Sequence, residues 1–166
     1  MKKSLLILCL LVLGHTIFAQ SDTAKAPYQR FPTFPPFKFL KPDSSYFEKE
    51  ELPKKSAVML MLFASDCSHC QHETAEMLKV IDQFKKKKVQ IVMITPLPFD
   101  SMMVFRERYQ LAKYNNITVL QDNKIMLPAF YSLRNFPFLA FYNRNKELID
   151  VFTGSMPMEQ ILKKFE

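Results

Sequence analysis

The run Ala57-Val58-Met59-Leu60-Met61-Leu62-Phe63-Ala64, followed by Ser65-Asp66-Cys67-Ser68-His69-Cys70, decides how this chain is read. Eight consecutive apolar residues suit a central strand covered on both faces. After the cysteines, Cys70, Met77, Val80/Ile81 and Phe84 recur along one stripe at helical spacing. Cys67–Cys70 therefore lies on a strand-to-helix turn, where free backbone N–H groups stabilise an anion. A thiolate at Cys67 is such an anion, and Cys70 lies one helical turn further on, within reach of a disulfide. The stripe turns Cys70 inward and leaves Cys67 at the helix start, so one thiol is expected to be accessible and the other shielded. This is the arrangement of a dithiol–disulfide redox centre. A metal site and an inert structural disulfide are the alternatives.

The chain opens MKKSLLILCLLVLGHTIFAQ. Lys2 and Lys3 form a basic start, Leu5 to Leu13 an apolar stretch, and Ala19 a small residue at the expected cleavage point. The apolar stretch is far short of the roughly 20 residues of a membrane span, so it reads as a secretory signal peptide at 1–19. Cleavage implies a periplasmic or otherwise exported protein without stable membrane insertion. It also removes Cys9 and leaves Cys67 and Cys70 as the only cysteines. One local pair is not the framework of a disulfide-stapled domain, and it suggests catalysis more than stapling.

The 147 residues that follow suit one domain. Residues 20–36 form a Pro/Phe-rich segment expected to run extended along the domain surface with its aromatics tucked in. Phe37 to Leu40 and Tyr46-Phe47, separated by Pro42-Asp43-Ser44-Ser45, read as a hairpin that opens a domain spanning 37–166. Val89 to Thr95 is the next strand and 100–113 the next helix. Ile117 to Leu120 is a short strand-like stretch and Leu127 to Leu133 a short helical turn. Phe138 to Tyr142 and Glu147 to Phe152 are strands joined by a turn, and Met156 to Phe165 is a closing helix. From residue 57 the main order is β-α-β-α-β-β-α, with long crossovers for parallel strands first and an antiparallel pair last.

The formal net charge is +7, or +5 without Lys2 and Lys3. Lys85–Lys88 reads as a solvated helix end that complements the C-terminal dipole. Nothing else supports nucleic-acid binding.

With motif and element order together, the chain resembles the thioredoxin-like superfamily, and more narrowly its exported TlpA/ResA-like and redoxin branch as found in Bacteroidetes. The resemblance covers about residues 35–166. It is carried by Cys67-Ser68-His69-Cys70 after Phe63-Ala64-Ser65, by Glu73 three residues beyond the second cysteine, by Tyr131-Ser132-Leu133-Arg134-Asn135-Phe136-Pro137, and by the Pro-rich lead-in and hairpin. It implies an α/β fold with a central mixed sheet flanked by helices. It departs from the thioredoxin pattern at Asp66, where Trp is usual, at Phe138, where Thr is frequent, and at Met61, where cytosolic thioredoxins bury an aspartate.

The resemblance implies a thiol–disulfide oxidoreductase acting through a mixed disulfide; reductants and oxidants share all of these residues, so the direction stays open, with a reductant of protein disulfides the preferred reading. Cys67 is the attacking and Cys70 the resolving thiol. His69, between them, is expected to stabilise the Cys67 thiolate and make the disulfide more oxidising. Asp66 opposes that thiolate. Glu73 is the candidate proton shuttle to Cys70, and His72 is expected on a solvent face. Pro137 falls where the family has its cis-proline; it is expected to pack on the cysteine pair, and if the Phe136–Pro137 bond is cis, Phe136 and Pro137 present an edge to substrate. The implied partners are protein or small-molecule thiols and disulfides, plus a membrane redox partner for recycling. No cofactor beyond the Cys67–Cys70 disulfide is expected. Two alternatives stand: a thiol peroxidase on the same fold, and a copper or zinc carrier using Cys67, Cys70, His69 and His72. Peroxiredoxins place Thr three residues before their reactive cysteine, and here that position is Ala64.

Overall fold

The computed structural model describes residues 25–166. The signal-peptide reading at 1–19 lies outside them. The elements are α1 (Pro27–Arg30), β1 (Phe39–Leu40), β2 (Tyr46–Phe47), β3 (Ala57–Leu62), α2 (Ser68–Lys79), α3 (Ile81–Lys86), β4 (Val89–Thr95), α4 (Phe99–Arg108), β5 (Ile117–Gln121), α5 (Met126–Tyr131), β6 (Phe138–Tyr142), β7 (Leu148–Thr153) and α6 (Met158–Lys163). Short 3-10 turns occupy Lys49–Glu51 and Leu111–Lys113.

Seven strands form one mixed sheet in the order β2-β1-β5-β4-β3-β6-β7. β3 pairs parallel with β4, β4 pairs parallel with β5, and β3 pairs antiparallel with β6. The β1–β2 hairpin extends the sheet through Leu40 opposite Gln121. This is the thioredoxin-like α/β fold that the sequence implied.

Every residue of β3 is buried, as an apolar run without alternation requires. Successive side chains point to opposite faces. Met59, Met61 and Phe63 join Cys70, Met77 and Phe84 in one core layer. Val58, Leu60 and Leu62 join Phe34, Leu127 and Tyr142 in the other. In this second layer the hydroxyls of Tyr131 and Tyr142 are hydrogen-bonded to each other inside the core. Lys85, Lys86 and Lys88 are exposed at the end of α3, as a solvated helix terminus should be.

Five local expectations are corrected. The Pro-rich segment is not wholly extended: Pro27–Arg30 makes a helical turn with Pro27 at its first position, where a missing N–H costs nothing. The helix after the cysteines breaks at Val80 (φ −118°, ψ 18°), and the break keeps Ile81 and Phe84 on the core. The helix expected over 100–113 stops at Arg108, because Gln110 is left-handed (φ 51°) and starts a separate 3-10 turn. The last helix begins only at Met158, directly after Pro157, and ends at Lys163. Ile117–Gln121 and Met126–Tyr131 are full elements, so the order from residue 57 gains a strand and a helix before β6.

Candidate active site

Cys67 sits at the N-cap of α2 with extended backbone (φ −76°, ψ 114°). An N-cap side chain normally accepts a hydrogen bond from an orphan N–H of the first turn. Here the Cys67 sulfur does so, accepting the Cys70 N–H at 3.2 Å. The thiol also donates to the Phe136 carbonyl at 3.7 Å. Gln71 steadies the turn, its side-chain amide donating to the Ser65 carbonyl at 2.9 Å.

The two thiols differ as the stripe implied. Cys67 is part-exposed, whereas Cys70 is 0% exposed. Burial pushes the Cys70 thiol far up from its ordinary value, and its hydrogen bond with Cys67 pushes it further. Met61 lies in the same core layer as Cys70, so the sheet offers no carboxyl from that position.

Glu73 lies one turn beyond Cys70 and is only 2% exposed. Burial raises its carboxyl from the ordinary 4.5 to about 7. The Met156 N–H, donating to Glu73 Oε2 at 3.2 Å, and the Ser155 hydroxyl partly counter this, while Glu76 adds to it. Glu73 Oε1 is buried without a hydrogen-bond partner among the described residues. A groove of about 570 Å³ reaches Glu73 between α2 and the Ser155–Met158 segment. Asp66, His69 and His72 are exposed.

Phe136 and Pro137, directly before β6, come to the pair through the Phe136 carbonyl and are joined by a cis peptide bond. Pro137 is buried and Phe136 half-buried. The structure thus gathers Cys67, Cys70, Glu73, Phe136 and Pro137, with His69 on the rim. Sequence reasoning missed the Gly154–Met156 segment, which bonds to Pro137, His69 and Glu73. One signal pointed there: Gly154 is the only glycine after residue 19. Among the described residues, no three His, Cys, Asp or Glu side chains gather to hold a metal ion, so the carrier alternative gains no ligand set there.

A part-exposed thiol capping a helix, a shielded thiol one turn on and an adjoining proline edge define a dithiol protein of the thioredoxin-like class. Known proteins place it more closely. The AhpC/TSA family model matches residues 32–150, and the chain belongs to that family. The chain is 26% identical to the thiol-disulfide oxidoreductase ResA of Halalkalibacterium halodurans, over 99% of this chain and 91% of that protein. Among solved structures, it is similar to a secreted Mycobacterium tuberculosis disulfide oxidoreductase homologous to E. coli DsbE. That match has a TM-score of 0.63 and 20% identity, over 78% of this chain and 94% of that one. Peroxidoxin BcpB, also from Mycobacterium tuberculosis, matches with a TM-score of 0.67 and 14% identity, over 80% and 93%.

Proposed function

We propose that the chain is an exported thiol–disulfide oxidoreductase working through Cys67 and Cys70, in the direction of a reductant. The asymmetry of the two thiols carries this reading: one is part-exposed and caps a helix, the other is buried three residues on. The Cys67 thiolate attacks a substrate disulfide. One substrate sulfur leaves as a thiolate and takes up a proton, and the other stays bonded to Cys67. Cys70 then gives its proton to Glu73 and attacks the Cys67 sulfur. The second substrate thiolate leaves, and the protein is left with a Cys67–Cys70 disulfide. Two electrons pass to the substrate, and the pair is itself the redox group. Phe136 and Pro137 present the edge along which the substrate chain lies. His69, in the first turn of α2, favours the charged sulfur and moderates the reducing power.

The ResA relative and the secreted Mycobacterium tuberculosis neighbour support the activity and the export. Among the described residues no helix is long and apolar enough to cross a membrane. An oxidised exported pair needs electrons, which a membrane redox partner would return.

Cys67→Ser is expected to abolish reduction of insulin disulfides, and Cys70→Ser to accumulate the covalent mixed disulfide. Full activity in Cys67→Ser would sink the reading. The reduction potential, measured in thiol buffers, separates the directions: near about −270 mV or lower the protein is a reductant, and near about −120 mV it donates disulfides.

Family membership and the peroxidoxin neighbour favour a second reading, a thiol peroxidase. Against it, Ala64 puts a methyl where a hydroxyl would orient the peroxide. Rapid sulfenic acid formation at Cys67 with low peroxide would establish the second reading over the first.

A further inference from the structure

Three consecutive residues after β7 bond to three separate parts of the site. The Gly154 N–H donates to the Pro137 carbonyl at 2.8 Å. The Ser155 hydroxyl donates to the His69 carbonyl at 3.4 Å. The Met156 N–H donates to Glu73 Oε2 at 3.2 Å. The proline edge, the first turn of α2 and the buried carboxyl are thereby held by one short stretch of chain. Its backbone begins with Gly154 at φ +107°, a conformation other residues rarely adopt.

We infer that Gly154-Ser155-Met156 is a positioning brace, which sets the Glu73 carboxyl and the thiol turn in register with the Pro137 edge. The inference rests on the dithiol reading proposed above, in which Glu73 accepts the Cys70 proton. Among the described residues the brace gives the carboxyl its one hydrogen bond: Glu73 Oε1 is buried without a partner, and Oε2 is held by the Met156 N–H. The groove beside it is lined by His72 and Glu76 from α2 and by Ser155, Pro157 and Met158 from the other wall. The charged groups that face Glu73 are thus His72 and Glu76, both on its own helix, with the Cys70 thiol one turn back. The facing wall brings the Met156 N–H, which donates to Glu73 Oε2 and favours the ionised carboxyl, while the Ser155 hydroxyl, donating to the His69 carbonyl, ties the segment that presents this N–H to the first turn of α2.

Ser155 is exposed, so Ser155→Ala removes the hydroxyl without opening the core. The test is a carbon-NMR titration of the Glu73 carboxyl in the reduced protein, its resonance assigned with Glu73→Gln. In Ser155→Ala the midpoint is expected to rise by roughly half a pH unit or more, and Ser155→Thr is expected to restore it. The pH profile of mixed-disulfide release by Cys70 should move with it. An unchanged midpoint and an unchanged profile in a Ser155→Ala protein of wild-type melting temperature would overturn the brace. The titration needs no disulfide substrate. A shifted midpoint in a protein that never exchanges disulfides would therefore keep the brace and remove the oxidoreductase reading.

Discussion

Burial gives the Glu73 carboxyl a proton affinity with opposite consequences for catalysis and for stability. A base for Cys70 must be ionised, so release of the mixed disulfide is expected to quicken as pH rises through about 7. Folding runs the other way. The native carboxyl keeps its proton to about 7, whereas the unfolded one releases it near 4.5. The stability this group contributes is fully present below about 4.5 and is lost as pH rises through 7. Glu73→Gln, which stays neutral, should therefore stabilise the fold at pH 8 by up to about 3 kcal/mol and leave it little changed at pH 4. Urea unfolding at the two pH values checks this, and equal effects at both would mean that the native carboxyl binds its proton no more tightly than the unfolded one. The two thiols were legible in the sequence because both positions follow from local periodicity around one turn. The burial of Glu73 was not, since the residue that bonds its carboxyl, Met156, lies more than 80 positions away.

At the scale of elements, uniform apolar runs were readable and interruptions were not. β6 occupies Phe138–Tyr142, an unbroken apolar run, and β4 occupies Val89–Thr95, where Gln90 and the closing Thr95 are the only polar residues. The stop of α4 at Arg108 escaped a reading by period, because the left-handed Gln110 carries no apolar signature. The segment after β7 shows the same limit from another side: Gly154 reads as a chain breaker, but its conformation serves the site. A Cβ added there would meet only Phe152 Cε1, at 3.8 Å, so space is not the obstacle and the backbone is. Gly154→Ala is expected to cost about 1–3 kcal/mol in denaturant unfolding. A cost near zero would show that this backbone adopts another conformation with equal ease.

Across the whole molecule, the Pro/Phe-rich lead-in belongs to the packing of the sheet. Phe34 is 1% exposed and meets Tyr142 edge-on at 5.4 Å between ring centroids. Thr33 bridges to Glu147, and the Phe34 N–H donates to the Lys146 carbonyl at 2.9 Å. Composition suggested tucked aromatics, but the choice of Phe34 over Phe31, which is 63% exposed, depends on strands far away in sequence. The sheet order was beyond sequence reading for the same reason. Phe34→Ala is expected to cost about 3–5 kcal/mol and to lower the melting temperature; a change under about 1 kcal/mol would mean the lead-in detaches freely.

The chain has six tyrosines and no tryptophan, so its ultraviolet signal is phenolic. Burial raises both Tyr131 and Tyr142 above their ordinary value, and each fills a place in the core that a phenolate would not tolerate. In an alkaline absorbance titration these two rings should stay dark until the fold opens and then ionise together. The late step in tyrosinate absorbance is thus a built-in optical reporter of global unfolding, and its amplitude should equal two phenols of the six. Tyr142→Phe should reduce that step to one phenol, whereas a wild-type titration without a late step would mean that both rings reach solvent in the folded protein.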